Sequence, residues 1–307
     1  MRALLRLPLF FAGSALVVSF VLLGFSGHNK SSDAEQTAGV PAVIASSARV
    51  VEATLRSTAL GADVPYVVYL PPGYDSSPDQ HYPVLYMLHG LGGNRQQWRQ
   101  EGLLAVADVL IRNDEIQPMI IVTPEGGSSY WVNHANGGPR WGTYVSEDLV
   151  RELDKTYRTA PGREYRAIGG SSMGGHGALQ LAMNSNVFGV VGAHSVALRR
   201  YEETFPFFGD KAYFDAHDPV TLCKRNPAKA LNLVIWLDIG QDDRWLPAAR
   251  AFHEQLNAAG IMHSWQVSPG GHDAEYWGGH VQEYLEFYSR ALATPAAADS
   301  SAAKASR

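Results

Sequence analysis

The sequence has little cysteine and no excess of positive charge. Cys223 is the only cysteine among 307 residues, so neither an internal disulfide nor a cysteine-based zinc site is possible. Acidic side chains outnumber basic ones by 30 to 25, for a formal net charge of −5. Nucleic-acid binding requires a positively charged surface, so we do not expect this function. None of the eleven histidines falls into an H-E-x-x-H pair, so no metal site is expected.

The N-terminus has the composition of an export segment. Arg2 and Arg6 form a short positive region, and residues 7–25 are uncharged and mostly apolar. This pattern is typical of a bacterial secretory signal peptide, and the apolar run is also about long enough to span a bilayer. No cysteine follows the run, which excludes lipoprotein attachment. We expect residues 1–27 to be a cleaved signal peptide or a membrane anchor, and the protein to be secreted or periplasmic.

Two further segments differ in composition from the rest of the chain. Residues 28–48 are small and polar, which predicts a flexible linker. Residues 294–307 are rich in alanine and serine, which predicts a disordered tail. The sequence has no repeat of fixed period. Residues 49–293 therefore form the predicted catalytic domain, with 46% hydrophobic residues in the whole chain to build its core.

Within that domain, apolar strand patterns alternate with amphipathic helix patterns. "YPVLYMLHG" and "PMIIVTPEG" have the composition of buried strands, and "QEGLLAVADVLIRN" between them that of a helix. Continuous apolar strands that alternate with helices indicate an α/β fold with a mostly parallel sheet covered on both faces. "RVVEATLRS" and "VPYVVYLPP" predict an antiparallel pair before it. Residues 197–230 break the alternation and predict a small cap-like insertion.

A glycine-rich junction between a strand and a helix carries the candidate nucleophile. Residues 170–174 read Gly-Ser-Ser-Met-Gly, which satisfies G-x-S-x-G only when Ser172 is the central serine. A serine on such a tight turn has strained backbone angles, and side chains two positions away would collide with it. A phosphate cradle is the alternative for such a junction. The dinucleotide pattern G-x-G-x-x-G is absent, however, and no P-loop lysine follows.

The chain supplies an acid and a histidine in the order that an α/β-hydrolase needs. "WLDIGQDDRW" places Asp242 and Asp243 after a buried strand, with Asp238 at the strand end. "VSPGGHDAEYW" places His272 at the end of the next strand. Spacing alone does not choose between Asp242 and Asp243.

Stabilising the oxyanion of an acyl-transfer intermediate requires two backbone N–H donors. One donor follows the nucleophile in sequence and is Met173. The other is expected in "LHGLGGN", where glycines bring the chain close to the substrate, and Leu91 is the candidate.

These segments together resemble the esterase D family of α/β-hydrolases. The similar segments are "YMLHGLGGNRQQW", "GGSSMGGHGAL", "DIGQDD" and "PGGHDAEYW". The family includes S-formylglutathione hydrolases, feruloyl esterases and mycolyltransferases. The resemblance implies an α/β-hydrolase fold, no cofactor, and an acid at the last position of a G-x-x-D turn, which favours Asp243.

The predicted activity is hydrolysis of carboxylic esters by Ser172, Asp243 and His272. The export-like N-terminus departs from the cytoplasmic S-formylglutathione hydrolases and favours small-molecule or glycan-linked esters outside the cytoplasm. The resemblance makes Trp131 and Trp141 candidates for contacts with an acyl or aryl group. The alternatives are an acyltransferase to a sugar hydroxyl, a non-catalytic envelope binding protein, and a peptidase, which the family does not favour.

Overall fold

The computed structural model describes residues 48–293 and 295 of the chain. The predicted export segment (1–27) lies outside the described residues, as do all but one residue of the predicted linker (28–48) and of the predicted tail (294–307). In the part that is described, no helix combines the length and the apolar character that crossing a bilayer requires.

The strands of the described residues form one sheet. They are β1 (Arg49–Ser57), β2 (Ala62–Leu70), β3 (Val84–Leu88), β4 (Ile120–Pro124), β5 (Arg166–Ser171), β6 (Val190–His194), β7 (Val234–Gly240) and β8 (Ser264–Ser268). Their order across the sheet is β1-β2-β4-β3-β5-β6-β7-β8. β1 pairs antiparallel with β2, and β2 antiparallel with β4. All the other neighbouring strands are parallel.

Helices connect these strands. The α-helices are α1 (Gln97–Gln100), α2 (Leu103–Arg112), α3 (Trp141–Thr143), α4 (Val150–Thr156), α5 (Met173–Asn184), α6 (Lys211–Asp215), α7 (Pro219–Arg225), α8 (Ala228–Leu231), α9 (Leu246–Ala258), α10 (Ala274–Gly279) and α11 (Val281–Ala291). A π-helical segment, Tyr144–Leu149, joins α3 to α4. Short 3₁₀ turns lie at Arg163–Tyr165, Tyr201–Glu203 and Pro206–Phe208.

The sheet separates two hydrophobic clusters, as expected for parallel strands covered on both faces. β3 is buried along its whole length. Its residues Val84, Tyr86 and Leu88 belong to one cluster, whereas Leu85 and Met87 belong to the other. This alternation follows from the two-residue period of a strand. The predicted α/β architecture with a mostly parallel sheet and an antiparallel entry pair is therefore confirmed.

The predicted insertion lies between β6 and β7 and folds as two 3₁₀ turns followed by α6, α7 and α8. Phe208, Phe214 and Leu222 from this segment are buried in the hydrophobic cluster that also contains residues of β3. Cys223 in α7 is buried as well, and burial raises the pKa of its thiol to about 11.

The junction between β5 and α5 packs directly against the end of β3. A Cβ atom placed on Gly170 would lie 2.5 Å from the Leu88 carbonyl oxygen, and one on Gly174 would lie 2.3 Å from that same atom. Only glycine permits so close an approach of two backbones. Between these glycines, Ser172 adopts φ 56° and ψ −113°, a conformation that non-glycine residues rarely adopt.

Replacing Gly174 by alanine is expected to destabilise the protein, because its methyl group would overlap a backbone atom that cannot rotate away. Forcing extra volume into a packed site costs about 1–3 kcal/mol. Thermal unfolding followed by circular dichroism should show a lower Tm for Gly174→Ala. Gly279→Ala is the matched control, since no atom lies within 4 Å of a Cβ at that position. Equal Tm values for the two variants would contradict this account.

Glu101, between α1 and α2, is a carboxyl group in an unfavourable environment. The backbone of Glu101 lies next to Gly278 of α10, and the Oε2 atom of its side chain is enclosed without a hydrogen-bond partner in the described part of the chain. Burial raises the pKa of Glu101 to about 7, and a hydrogen bond with Gln97 offsets only part of this shift.

The raised pKa of Glu101 predicts how the stability depends on pH. An unfolded glutamate ionises near pH 4.3, so between about pH 4.5 and pH 7 the unfolded state loses the proton while the folded state keeps it. Stability attributable to this group therefore falls as the pH rises through that window. Glu101→Gln should raise Tm at pH 8 and leave it nearly unchanged at pH 4. Each kcal/mol recovered corresponds to about 2–4 °C in a domain of this size.

The control for this experiment is Glu254→Gln, which changes an exposed glutamate on α9. It should alter Tm equally little at both pH values. A Glu101→Gln variant with the same Tm difference from wild type at pH 4 and pH 8 would show that the carboxyl group of Glu101 titrates normally.

Candidate active site

Ser172, His272 and Asp243 form a continuous chain of hydrogen bonds. The Ser172 hydroxyl donates to His272 Nε2 at 2.8 Å, and His272 Nδ1–H donates to Asp243 Oδ2 at 2.7 Å. The side chain of Asp243 is fully buried, whereas His272 keeps 18% of its side-chain surface. The histidine therefore reaches the solvent side of the site while its carboxylate partner does not.

The three side chains meet because their loops leave the same edge of the sheet. Ser172 follows β5, Asp243 follows β7 and His272 follows β8, and these strands run parallel. The second carboxylate oxygen of Asp243 accepts the backbone N–H of Trp245 at 2.8 Å. This bond fixes the carboxylate in the orientation that the imidazole requires.

Asp238 and Asp242, the other two carboxylates of the segment "WLDIGQDDRW", do not contact His272. Asp242 is exposed, with Gln241 as the hydrogen-bond partner of its side chain. Asp238 is buried under the site, where it accepts hydrogen bonds from His194 at 2.5 Å and from Tyr276 and Tyr284 at 3.2 and 3.1 Å. Since Tyr276 and Tyr284 belong to the helices that follow His272, this network anchors the segment that carries it.

Ser171, the neighbour of Ser172, has a different environment. It is completely buried, and its hydroxyl accepts a hydrogen bond from Gln97 Nε2 at 2.9 Å. The Oε1 atom of the same Gln97 accepts the backbone N–H of Gly90 at 2.9 Å. Gln97 therefore ties the glycine loop after β3 to the serine pair, a role that the sequence did not reveal.

The predicted oxyanion donors flank Ser172. Leu91 follows Gly90 in the loop tied down by Gln97, and it lines the same cleft as Ser172. Met173 is the first residue of α5, where backbone N–H groups have no partner inside the helix. Within residues 48–293, neither the Leu91 amide nor the Met173 amide donates to a protein acceptor. Leu91 is exposed and lines the cleft, whereas Met173 is completely buried next to Ser172.

A cleft of about 230 Å³ opens at Ser172 and His272. Sequence reasoning missed most of its walls, although Trp245 and Trp277 follow the acid and the histidine within a few residues. The indole of Trp277 stands edge-on to the His272 ring at 5.2 Å. The residues that line the cleft are Gly90, Leu91, Gln97, Tyr130, Ser172, Ala197, Arg199, Arg244, Trp245, His272 and Trp277.

Trp131 and Trp141 are not among the residues that line this cleft, and their assignment as substrate contacts stays a prediction. Trp131 is fully buried, and its Nε1–H donates to the carbonyl of His89 at 3.2 Å. Trp141 is half-buried at the start of α3, where it packs edge-on against Tyr144.

The part of the chain described by the structure contains no group of three or more His, Cys, Asp or Glu side chains that could hold a metal ion.

The chain is similar to known esterases. The family model described as "Putative esterase" matches residues 57–288. Esterase Rv1288 of Mycobacterium tuberculosis is 31% identical over an alignment of 252 residues that covers 71% of this chain and 54% of that relative. The chain thus spans about half the length of that curated relative. S-formylglutathione hydrolase of Bos taurus is 27% identical over an alignment of 227 residues that covers 66% of this chain and 78% of that protein.

A solved structure named ferulic acid esterase has the same architecture. It superposes with a TM-score of 0.73 at 29% sequence identity, over 80% of this chain and 99% of that chain. The predicted resemblance to the family of S-formylglutathione hydrolases and feruloyl esterases is therefore confirmed. The family model covers nearly all of the described residues, and the chain belongs to this esterase family, with an α/β-hydrolase fold.

Proposed function

We propose that the protein is a serine carboxylesterase that hydrolyses small esters through an acyl-enzyme. The proposal rests on one observation, the unbroken hydrogen-bond chain from the Ser172 hydroxyl through His272 to Asp243. A hydroxyl becomes nucleophilic when an adjacent base removes its proton and a third group orients that base. The intact chain favours an enzyme over a non-catalytic binding protein.

In the acylation step, Ser172 Oγ attacks the ester carbonyl carbon while His272 Nε2 takes the hydroxyl proton. Asp243 holds the imidazole in the tautomer that can accept this proton and stabilises the imidazolium that forms. The negative charge that develops on the carbonyl oxygen is bound by the amides of Leu91 and Met173. His272 then gives its proton to the leaving alcohol, and the acyl group stays on Ser172.

In the deacylation step, water occupies the place that the alcohol has left. His272 removes a proton from this water, and the oxygen attacks the acyl carbon. Collapse of the second tetrahedral intermediate returns the proton to Ser172 Oγ and releases the carboxylic acid. The same two amides bind the oxyanion in both steps.

The dimensions of the cleft favour a short acyl or aryl ester. Its volume of about 230 Å³ lies below the range of roughly 300–1,000 Å³ that is usual for drug-sized ligands. Trp245 and Trp277 supply aromatic walls, and the similarity to a ferulic acid esterase supports an aryl substrate. An ester of this size occurs as a free small molecule or as a substituent on a glycan.

Hydrolysis of p-nitrophenyl esters should depend on the three residues. We expect the wild-type protein to cleave the acetate and butyrate faster than the octanoate, because the cleft is small. Ser172→Ala should lower kcat by about 10⁶-fold, because it removes the nucleophile, and Asp243→Asn by about 10⁴-fold, because it removes the group that orients the histidine. Methyl ferulate in the same panel measures the preference for aryl acids.

Asp242→Asn is the matched control for Asp243→Asn, since it removes the neighbouring carboxylate, which is exposed. Its kcat should stay within a few-fold of wild type. Wild-type rates in Ser172→Ala would rule out the proposed nucleophile, and a larger defect at position 242 than at 243 would rule out the proposed acid.

The N-terminal composition supports an extracytoplasmic location, which we propose as part of the function. Arg2 and Arg6 followed by nineteen uncharged, mostly apolar residues (7–25) have the pattern of an export segment. The esters available to the enzyme would then be those of the cell envelope or of the surroundings.

Fractionation of bacteria that express the full chain tests this location. The protein should be recovered from the periplasm, the medium or the outer side of the cytoplasmic membrane, because the apolar segment directs export. Mass spectrometry of the recovered protein would show whether residues 1–27 are removed. A variant without residues 2–25 should remain in the cytoplasm. Cytoplasmic recovery of the full chain would overturn the proposed location.

A further inference from the structure

Two arginines, Arg199 and Arg244, line the cleft together with Ser172 and His272. In the part of the chain that the structure describes, no Asp or Glu oxygen lies within 4.0 Å of either guanidinium. The nearby carboxylate of Glu203 forms an ion pair with Arg200, and the carboxylate of Asp243 is hydrogen-bonded to His272. Two cationic groups therefore face the same small space without a bound counter-charge.

Arg199 is held in place rather than free to rotate. Its Nε–H donates to the Tyr130 hydroxyl at 2.6 Å, and its Nη1 donates to the Glu203 backbone carbonyl at 3.3 Å. Its guanidinium also lies against the rings of Phe205 and Trp245, at 5.0 and 5.3 Å from their centroids. Among residues 48–293, Nη2 of Arg199 has no protein acceptor. A pre-positioned guanidinium with free N–H groups is suited to a carboxylate or phosphate ligand.

Tyr130 supplies a further donor to the same place. It has φ 55°, a left-handed conformation that costs energy in a residue with a side chain and that clusters at functional sites. Its hydroxyl accepts the hydrogen bond from Arg199, so its own proton is available to a ligand in the cleft. Burial raises the pKa of Tyr130, although Arg199 opposes this effect. The hydroxyl is therefore neutral and able to donate.

Arg244 lies at the exposed end of the cleft, with its guanidinium 5.3 Å from the Trp245 ring centroid. Trp245 thus contacts both arginines. Two like charges that share one small cleft repel each other, and a bound anion would relieve this repulsion. Because the chain as a whole has a net charge of −5, this pair of cations is a local feature of the cleft.

We propose that the cleft selects esters carrying a carboxylate or another anionic group, bound by Arg199 and Arg244. This inference rests on the proposed esterase activity and names the substrate class for that same site. Since the cleft measures only about 230 Å³, the anionic group has to lie a few bonds from the scissile carbonyl. It belongs to either the acyl group or the alcohol.

Two pairs of chromogenic esters distinguish these positions. The first pair compares mono-p-nitrophenyl succinate with p-nitrophenyl butyrate and tests an anionic group on the acyl side. The second pair compares 4-acetoxy-3-nitrobenzoate with p-nitrophenyl acetate and tests an anionic group on the alcohol side. Each kcat/KM is divided by the rate constant of hydroxide-catalysed hydrolysis of that ester, which removes its intrinsic reactivity. We expect the anionic member of at least one pair to exceed its neutral partner by about tenfold, as one charge-assisted hydrogen bond at a partly exposed site would give.

Variants assign this preference to the two arginines. Arg199→Gln and Arg244→Gln should each lower the ratio of anionic to neutral kcat/KM by about threefold, because the two arginines share the tenfold preference. Arg199→Lys should keep part of the preference, because the charge remains. Arg250→Gln, which changes an exposed arginine of α9 outside the cleft, should leave the ratio unchanged. In the wild-type protein, the ratio should also fall as NaCl is raised from 0.05 to 0.5 M, since salt screens exposed charges.

The outcomes separate this inference from the esterase proposal. Ser172-dependent hydrolysis with no preference for the anionic member of either pair would overturn the inference and leave the esterase proposal intact. A preference that persists in both Arg199→Gln and Arg244→Gln would overturn it as well. If none of the four esters were cleaved, or if cleavage persisted in Ser172→Ala, the esterase proposal itself would fail.

Discussion

The backbone of the β5–α5 junction lies so close to the end of β3 that no side chain fits between them. Gly170 and Gly174 both approach the Leu88 carbonyl to distances that a Cβ atom would make impossible. This contact holds Ser172 at φ 56° and brings the loop that contains Leu91 to the same place. The proposed nucleophile and the predicted oxyanion donors are therefore positioned by one packing constraint, which the rigid core of the sheet maintains.

Most of the fold could be predicted from the sequence, because strands buried on both faces have an unmistakable composition. β1 occupies the residues that the pattern predicts, and the other strands differ by only a few residues at each end. The choice of Asp243 over Asp242 could not come from spacing, since adjacent residues in a turn point in different directions. It came from the resemblance to a family, and the buried position of Asp243 agrees with it. The catalytic roles of the three residues stay predictions.

The walls of the cleft were not predictable in the same way. Trp131, a predicted substrate contact, adopts φ 58°, next to Tyr130 at φ 55°. Positive φ is uncommon in residues that have a side chain, and no periodicity in the sequence reveals two such residues in succession. The contacts of Gln97 were hidden for another reason. They join residues that lie 7 and 74 positions apart in the chain, so only the folded structure brings them together.

The single thiol of the protein offers a way to observe unfolding. Cys223 is 1% exposed, and its pKa of about 11 keeps it in the unreactive protonated form at neutral pH, because the thiolate is the nucleophile. A thiol reagent therefore labels only molecules in which the segment around α7 has opened. The labelling rate reports on the opening of one defined place in the fold, and no engineered probe is required.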